Sequence, residues 1–116
     1  MKHHEDSRRH LFDMELPQNP IWTLKIVVVK TNNTVLGSHY HKRKTELFIM
    51  SYGTCKTKTR DVDSKNVMYK TLTQGDVLPV YPNTVHEFTL SKGAVMLCHT
   101  DQPYNPEDDF EAKVEI

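Results

Sequence analysis

The sequence predicts an all-β domain built as a sandwich or barrel. Three observations carry this. Short runs alternate in side-chain character with period two. Clusters of Gly, Pro, Asn and Asp punctuate them at near-regular spacing. No stretch shows the apolar spacing of an amphipathic helix. At 116 residues the chain fits one domain, and 37% hydrophobic residues give it a small core. Such a chain gains stability by pairing with a copy of itself, so a homodimer is expected. Basic and acidic residues number 15 each, so the formal net charge is zero with histidines neutral. With no basic face, nucleic acid is not an expected partner. No apolar run reaches membrane-spanning length, and residues 26–29 read as a strand core, so no membrane partner is expected. The N-terminus has no apolar signal segment. Two cysteines, Cys55 and Cys98, do not make a disulfide framework. The expected setting is reducing and cytoplasmic.

The elements follow in order. Residues 1–16 read as an N-terminal arm, partly disordered, with 17–116 forming a barrel and a C-terminal extension. The polar part of the arm carries His3, His4 and His10, which are assigned to a frayed terminus rather than to a metal. Residues 11–16 are the first expected to be ordered, and Pro17 and Pro20 then break any helix. Residues 21–30 form the first clear strand, with Trp22, Leu24, Ile26 and Val28 on one face and Thr23, Lys25, Val27 and Val29 on the other. The second face turns from polar to apolar, as if covered by a partner or by the arm. Trp22 is a core or interface anchor. Strands are expected over 35–41, 46–52, 55–60, 67–72, 77–81, 85–90 and 94–99, and a last one over 110–116. Lys42-Arg43-Lys44 reads as a solvated loop, and Glu107-Asp108-Asp109 as a solvated acidic turn.

The chemistry concentrates around residues 37–46. His39 and His41 stand two apart on a strand, so both project to one side, and Glu46 returns toward them from the next strand. Two imidazoles and a carboxylate are most of a divalent-metal site. His86 supplies a fourth ligand, emerging after Tyr81-Pro82-Asn83, where Asn83 suits a backbone position of positive φ. His39, His41, Glu46 and His86 would leave open positions on octahedral Fe, Mn, Ni or Co, or close around tetrahedral Zn.

Gly37…His39-Tyr40-His41…Glu46…Gly53 resembles the first motif of the cupins, and Gly75…Pro82-Asn83…His86 the second. Asn83 replaces the usual glycine, and Leu90 stands where asparagine is frequent; neither change removes a ligand. The resemblance covers about residues 21–100. It implies a cupin jelly-roll β-barrel (a double-stranded β-helix), dimeric through strand exchange or sheet packing, with the metal held by those four residues.

A second resemblance, on Gly37-Ser38-His39-Tyr40, residues 60–64 and residues 104–108, is to the nucleotide-sugar cupins, which include epimerases and ketoisomerases of dTDP-sugars. It implies proton abstraction beside a keto group, with His39 as base. The tyrosine acid of the epimerases would fall at Cys98, so it is absent; Tyr40, Tyr52 and Tyr81 are the alternatives.

The resulting expectation is an isomerase or epimerase of a keto sugar or related hydroxy-carbonyl compound. A metal would polarise the carbonyl, and His39, Glu46 and His86 would be the catalytic set, with Glu46 or His86 moving the proton. Phe48, Met50, Phe88 and Tyr104 would line the pocket. The alternatives are an Fe-dependent dioxygenase of a small organic substrate and a non-catalytic cupin that binds a sugar or metabolite.

Overall fold

Among the described residues the period-two pattern is realised as eleven strands in two antiparallel sheets. The computed structural model describes residues 2–16 and 22–116. In chain order the strands are β1 (Lys2–Glu5), β2 (Arg9–Leu16), β3 (Trp22–Val29), β4 (Thr34–Tyr40), β5 (Glu46–Tyr52), β6 (Cys55–Asp61), β7 (Met68–Leu72), β8 (Val77–Val80), β9 (Thr84–Leu90), β10 (Val95–Thr100) and β11 (Phe110–Glu111). A 3-10 turn, Pro106–Asp108, is the only helix among the described residues. One sheet runs β1-β2-β3-β10-β5-β8 and the other β11-β4-β9-β6-β7. Strands far apart in sequence are neighbours in space, which is the nested connectivity of a jelly roll. The predicted strands from 21 to 99 all form. The last shrinks to Phe110–Glu111, paired with Tyr40 and His39. The expectations for Pro17 and Pro20 and for the Trp22 side chain lie outside the described residues.

Inward-facing side chains sort into two layers. Val29, Met50, Cys55, Leu72, Leu90 and Ala94 fill the closed end of the barrel. Val27, Phe48, Phe88 and Met96 roof that core and face an open cavity above it. On β3 the inner face is the one carrying Thr23, Lys25, Val27 and Val29. Its change from polar to apolar follows from this layering: Thr23 and Lys25 lie beside the cavity, and Val29 lies in the core. Leu11 of the N-terminal hairpin packs against the same core layer. Leu24, Ile26 and Val28 point outward and remain half-buried.

The N-terminal segment, expected as a partly disordered arm, is instead a β-hairpin that widens the first sheet. Glu5 pairs with His10, His3 with Phe12, and β2 pairs with β3 from Arg9–Val29 to Leu16–Trp22. Polar composition misleads here because an edge strand gains backbone hydrogen bonds whatever its side chains are. The Asp6 carboxylate accepts from the amides of Arg8 (2.7 Å) and Arg9 (2.9 Å) and shapes the turn.

A single irregularity positions the site. Leu36 faces Phe88 and Gly37 faces Glu87, but His39 faces His86, so β4 carries one extra residue against β9. This bulge has Gly37 at φ +97° and Ser38 at φ +63°. It switches side-chain parity along the strand. Thr34 and Leu36 point inward before it, and His39 and His41 point inward after it. Without the bulge both histidines would face outward. A Cβ on Gly37 would come within 2.6 Å of the His86 carbonyl oxygen, on a backbone that L-residues rarely adopt. Replacing Gly37 by alanine should therefore cost about 1–3 kcal/mol. Urea denaturation measures this, and an unchanged midpoint would show that the bulge tolerates a side chain.

Candidate metal centre

Three strand ends bring the four predicted ligands together. His39 is on β4, His41 just beyond it, Glu46 opens β5, and His86 lies on β9. The Asn83 turn holds the third end. Asn83 sits at φ +63°, as expected, and its amide donates to the His41 carbonyl at 2.7 Å. The His39 and His86 Nε2 atoms are 3.0 Å apart. Glu46 Oε1 lies 3.2 Å from His41 Nε2 and 3.5 Å from His86 Nε2. Among the described residues, His39, His41 and His86 form one of two groups placed to hold a metal ion.

The far side of each imidazole fixes its tautomer. His39 Nδ1 is 3.0 Å from Asp109 Oδ1, His41 Nδ1 is 2.5 Å from the Asp108 carbonyl, and His86 Nδ1 is 3.2 Å from the Thr84 carbonyl. Each acceptor requires Nδ1 to carry the hydrogen, which leaves every Nε2 as a lone pair turned to a common centre. Two such lone pairs at 3.0 Å repel unless a cation lies between them. Buried His41 Nε2 and Glu46 Oε1 also have no hydrogen-bond partner.

A proton is a poor candidate for that cation. Burial lowers the His39 and His86 pKa values against the pull of nearby carboxylates, and His86 falls to about 4. Glu46 goes the other way from what its burial favours: the His41 and His86 rings and the Lys44 ammonium beside it hold it down to about 2. His39 and His86 are thereby neutral and Glu46 ionised, and with His41 they make a donor set that fits a divalent transition ion.

The cluster lines a cavity of about 1060 Å³. Phe48 and Phe88, in edge contact with ring centres 4.6 Å apart, line it, and so does Tyr104, 60% exposed at the mouth. Met50, expected in the pocket, does not line it. It shares a face with Phe48 but lies two residues further along β5, fully buried in the core layer. Cys98 lines the cavity where an acid would stand, its thiol 3.4 Å from Glu46 Oε2. Burial, with Glu46 next, pushes its pKa well above that of an ordinary thiol. Tyr52 and Tyr81 are exposed, Tyr40 stacks on Phe110, and none of the three lines the cavity. Both cysteines are free thiols.

Several supporting residues lie outside the predicted set. The acidic turn is not simply solvated. Asp108 is buried and accepts from the amides of Lys42 (2.8 Å) and Arg43 (3.2 Å), while Asp109 backs His39. In the loop read as solvated, Lys42 and Arg43 are exposed, but Lys44 is buried 3.8 Å from Glu46. Arg60 is buried and donates to the Lys113 and Val114 carbonyls, anchoring the C-terminal tail. Lys2, His4 and Arg9, from the inner face of the N-terminal hairpin, line the cavity. The one sequence signal for the tail was three acidic residues in a chain with a histidine cluster to support.

Over residues 2–115 the chain matches the family model described as FdtA: WxcM-like, C-terminal. No curated protein matches it. Among solved structures it is similar to CapF, the capsular polysaccharide assembling protein of Staphylococcus aureus, at 16% identity and a TM-score of 0.85, over 97% of this chain and 34% of that one. A structure of CapF with the inhibitor 3-isopropenyl-tropolone gives 15% identity and a TM-score of 0.85, over 97% and 34%. An oxalate decarboxylase variant of Bacillus subtilis gives 16% and 0.79, over 95% and 30%. The chain thus spans about a third of each of these proteins. The likeness establishes the cupin jelly roll as the fold. Among the described residues no helix is long and apolar enough to cross a membrane.

The direction of the His86 shift gives a pH prediction for metal-free protein. The unfolded chain takes up a proton near pH 6.5 and folded His86 only near 4, so stability is full above 6.5 and falls as pH drops toward 4. The loss approaches about 3 kcal/mol from this group. Glu46 adds a loss in the same direction between its ordinary 4.5 and about 2. Urea midpoints of chelator-treated protein at pH 7.5 and 5 test the first window. His86→Gln should flatten the difference, and an equal difference in that variant would refute the assignment.

Proposed function

The chain belongs to the WxcM-like, C-terminal family, and from that premise we propose that it is a metal-dependent isomerase or epimerase of an anionic keto sugar. One observation carries this reading. A cluster of three imidazole Nε2 atoms and a carboxylate lines a cavity in which Lys2, Arg9, Lys25 and Lys44 outnumber the remaining acidic residues, Asp13 and Asp109. The basic walls suit a phosphorylated or nucleotide-linked sugar. Phe48, Phe88 and Tyr104 provide apolar surface for the ring. The likeness to a capsular polysaccharide assembling protein favours a sugar over other hydroxy-carbonyl compounds.

In this reading His39, His41, Glu46 and His86 hold the ion, which when bound supplies Lewis-acid polarisation of a substrate carbonyl. Asp109 and the Asp108 and Thr84 carbonyls orient the imidazoles, and Lys44 offsets the charge of Glu46. Glu46 and His86 then act through holding and orientation. Glu46 Oε1 faces the histidines and Oε2 accepts from Cys98, and His86 has both ring nitrogens engaged, so neither has a face open for proton transfer.

The test is solvent deuterium incorporation into a panel of keto-sugar nucleotides and keto-sugar phosphates by metal-loaded protein. We expect exchange that falls by about a hundredfold or more on chelation, or in His41→Ala. Exchange with none of the panel sinks the reading; oxygen uptake instead would identify a dioxygenase, and binding without turnover a metabolite-binding cupin.

One observation favours a second assignment for His39. It is the ligand nearest the mouth, with a 27% exposed side chain and a carboxylate behind it, the arrangement of an oriented base. Asp109→Asn separates the two. If His39 is a ligand, metal affinity drops about 10–100-fold and excess metal restores activity. If it is a base, metal content is unchanged while kcat falls and its acid limb shifts.

We further propose that the protein works as a homodimer packed through the outer face of its first sheet, where Ile26, Leu97 and Ile49 lie side by side and Tyr52 and Val77 are exposed. Light scattering on Leu97→Glu should report a monomer; an unchanged dimer would place the contact elsewhere.

A further inference from the structure

The second group of metal-ligating side chains lies apart from the barrel cavity. The β1–β2 register sets Glu5 opposite His10 and His3 opposite Phe12, so all four side chains share the outer face of the hairpin. His3 Nε2 is 3.1 Å from His10 Nδ1, and His10 Nδ1 is 3.6 Å from Glu5 Oε1. One atom from each of the three residues falls within a 4.8 Å cluster. Two further contacts preorganise them. Phe12 stacks on the His3 ring, with centroids 4.5 Å apart and planes at 12°. Lys30 Nζ takes Glu5 Oε2 at 2.6 Å and the Asp6 carbonyl at 3.1 Å, leaving Glu5 Oε1 turned toward His10. A ligand carboxylate held by a second-layer cation is the support that metal sites use.

We propose that His3, Glu5 and His10 form a second, surface site for a divalent transition ion of the zinc, nickel or copper type. Two imidazoles and a carboxylate supply three ligands of the borderline character these ions prefer, and water completes the shell. The ion clips β1 to β2, because His3 and Glu5 come from one strand and His10 from the other. This matters beyond the surface. The opposite face of the same hairpin carries Lys2 and His4 on β1 and Arg9 and Leu11 on β2, which line the barrel cavity. β1 is a four-residue edge strand with every side chain exposed, so little else holds that wall in place. Loading the outer site stabilises one wall of the inner cavity.

Zinc is the probe, added to the full chain after chelator treatment and followed by equilibrium dialysis with metal analysis. The double substitution His3→Gln and His10→Gln should bind one equivalent fewer than wild type, whether or not the barrel cluster takes zinc. His3 lies on the exposed edge strand and His10 is half-buried on β2, and circular dichroism checks that the double variant remains folded. Zinc should also slow amide hydrogen exchange over residues 2–5 in wild type and not in the double variant. Equal zinc uptake by the double variant and wild type overturns the site, and unchanged exchange in zinc-loaded wild type overturns the clip.

Discussion

Lone pairs converging in a buried space are the constraint around which this barrel is arranged. His39, His41 and His86 each have Nδ1 tied to an acceptor, so each presents Nε2 to the same point, with the ionised Glu46 beside them. Four electron-rich atoms gathered there repel one another and lose hydration. Nothing in the local chain favours that arrangement. It persists because the surrounding structure over-determines it, the pattern expected where binding energy is to be recovered from a cation.

Three devices impose the arrangement, and each is a departure from regular strand geometry. The bulge at Gly37 and Ser38 reverses which side of β4 faces inward just before the first ligand. The Asn83 turn ties β9 to the end of β4 through the His41 carbonyl. The Pro106–Asp108 turn folds back so that one short segment serves several groups. Its Asp108 carboxylate holds the loop amides of Lys42 and Arg43, its Asp108 carbonyl holds His41, and the next residue, Asp109, holds His39. Arg60 fixes the tail that follows. The C-terminal extension is thereby a supporting layer of the site.

What could be read in the sequence divides along the same line. The convergence of His39 and His41 was legible because short-range spacing encodes it: both lie after the bulge, so their two-residue spacing still places them on one side. Asn83 was legible from its tolerance of positive φ. Asp108 and Asp109 were not, since their partners are 65 or more residues away in sequence and local composition marks an acidic turn as solvated. Met50 shows a different limit. Alternation gives its face correctly but says nothing of depth, and one step along β5 separates the cavity wall at Phe48 from the core. The N-terminal hairpin escaped notice because backbone pairing on an edge leaves little apolar signature.

The low apolar content takes on a different meaning once the two layers are distinguished. A fully packed barrel of this size would fill its interior with aliphatic and aromatic side chains. Here the apolar filling stops at Phe48, Phe88 and Met96, and above that level the interior is Lys25, Lys44, Glu46 and the histidines around a cavity. The outer face of the first sheet carries Leu24, Ile26, Val28, Ile49 and Leu97, each half-buried. The composition that first suggests a weakly stabilised domain therefore describes a barrel whose interior is left open at one end around a polar cluster, with half-buried apolar side chains on its outer face.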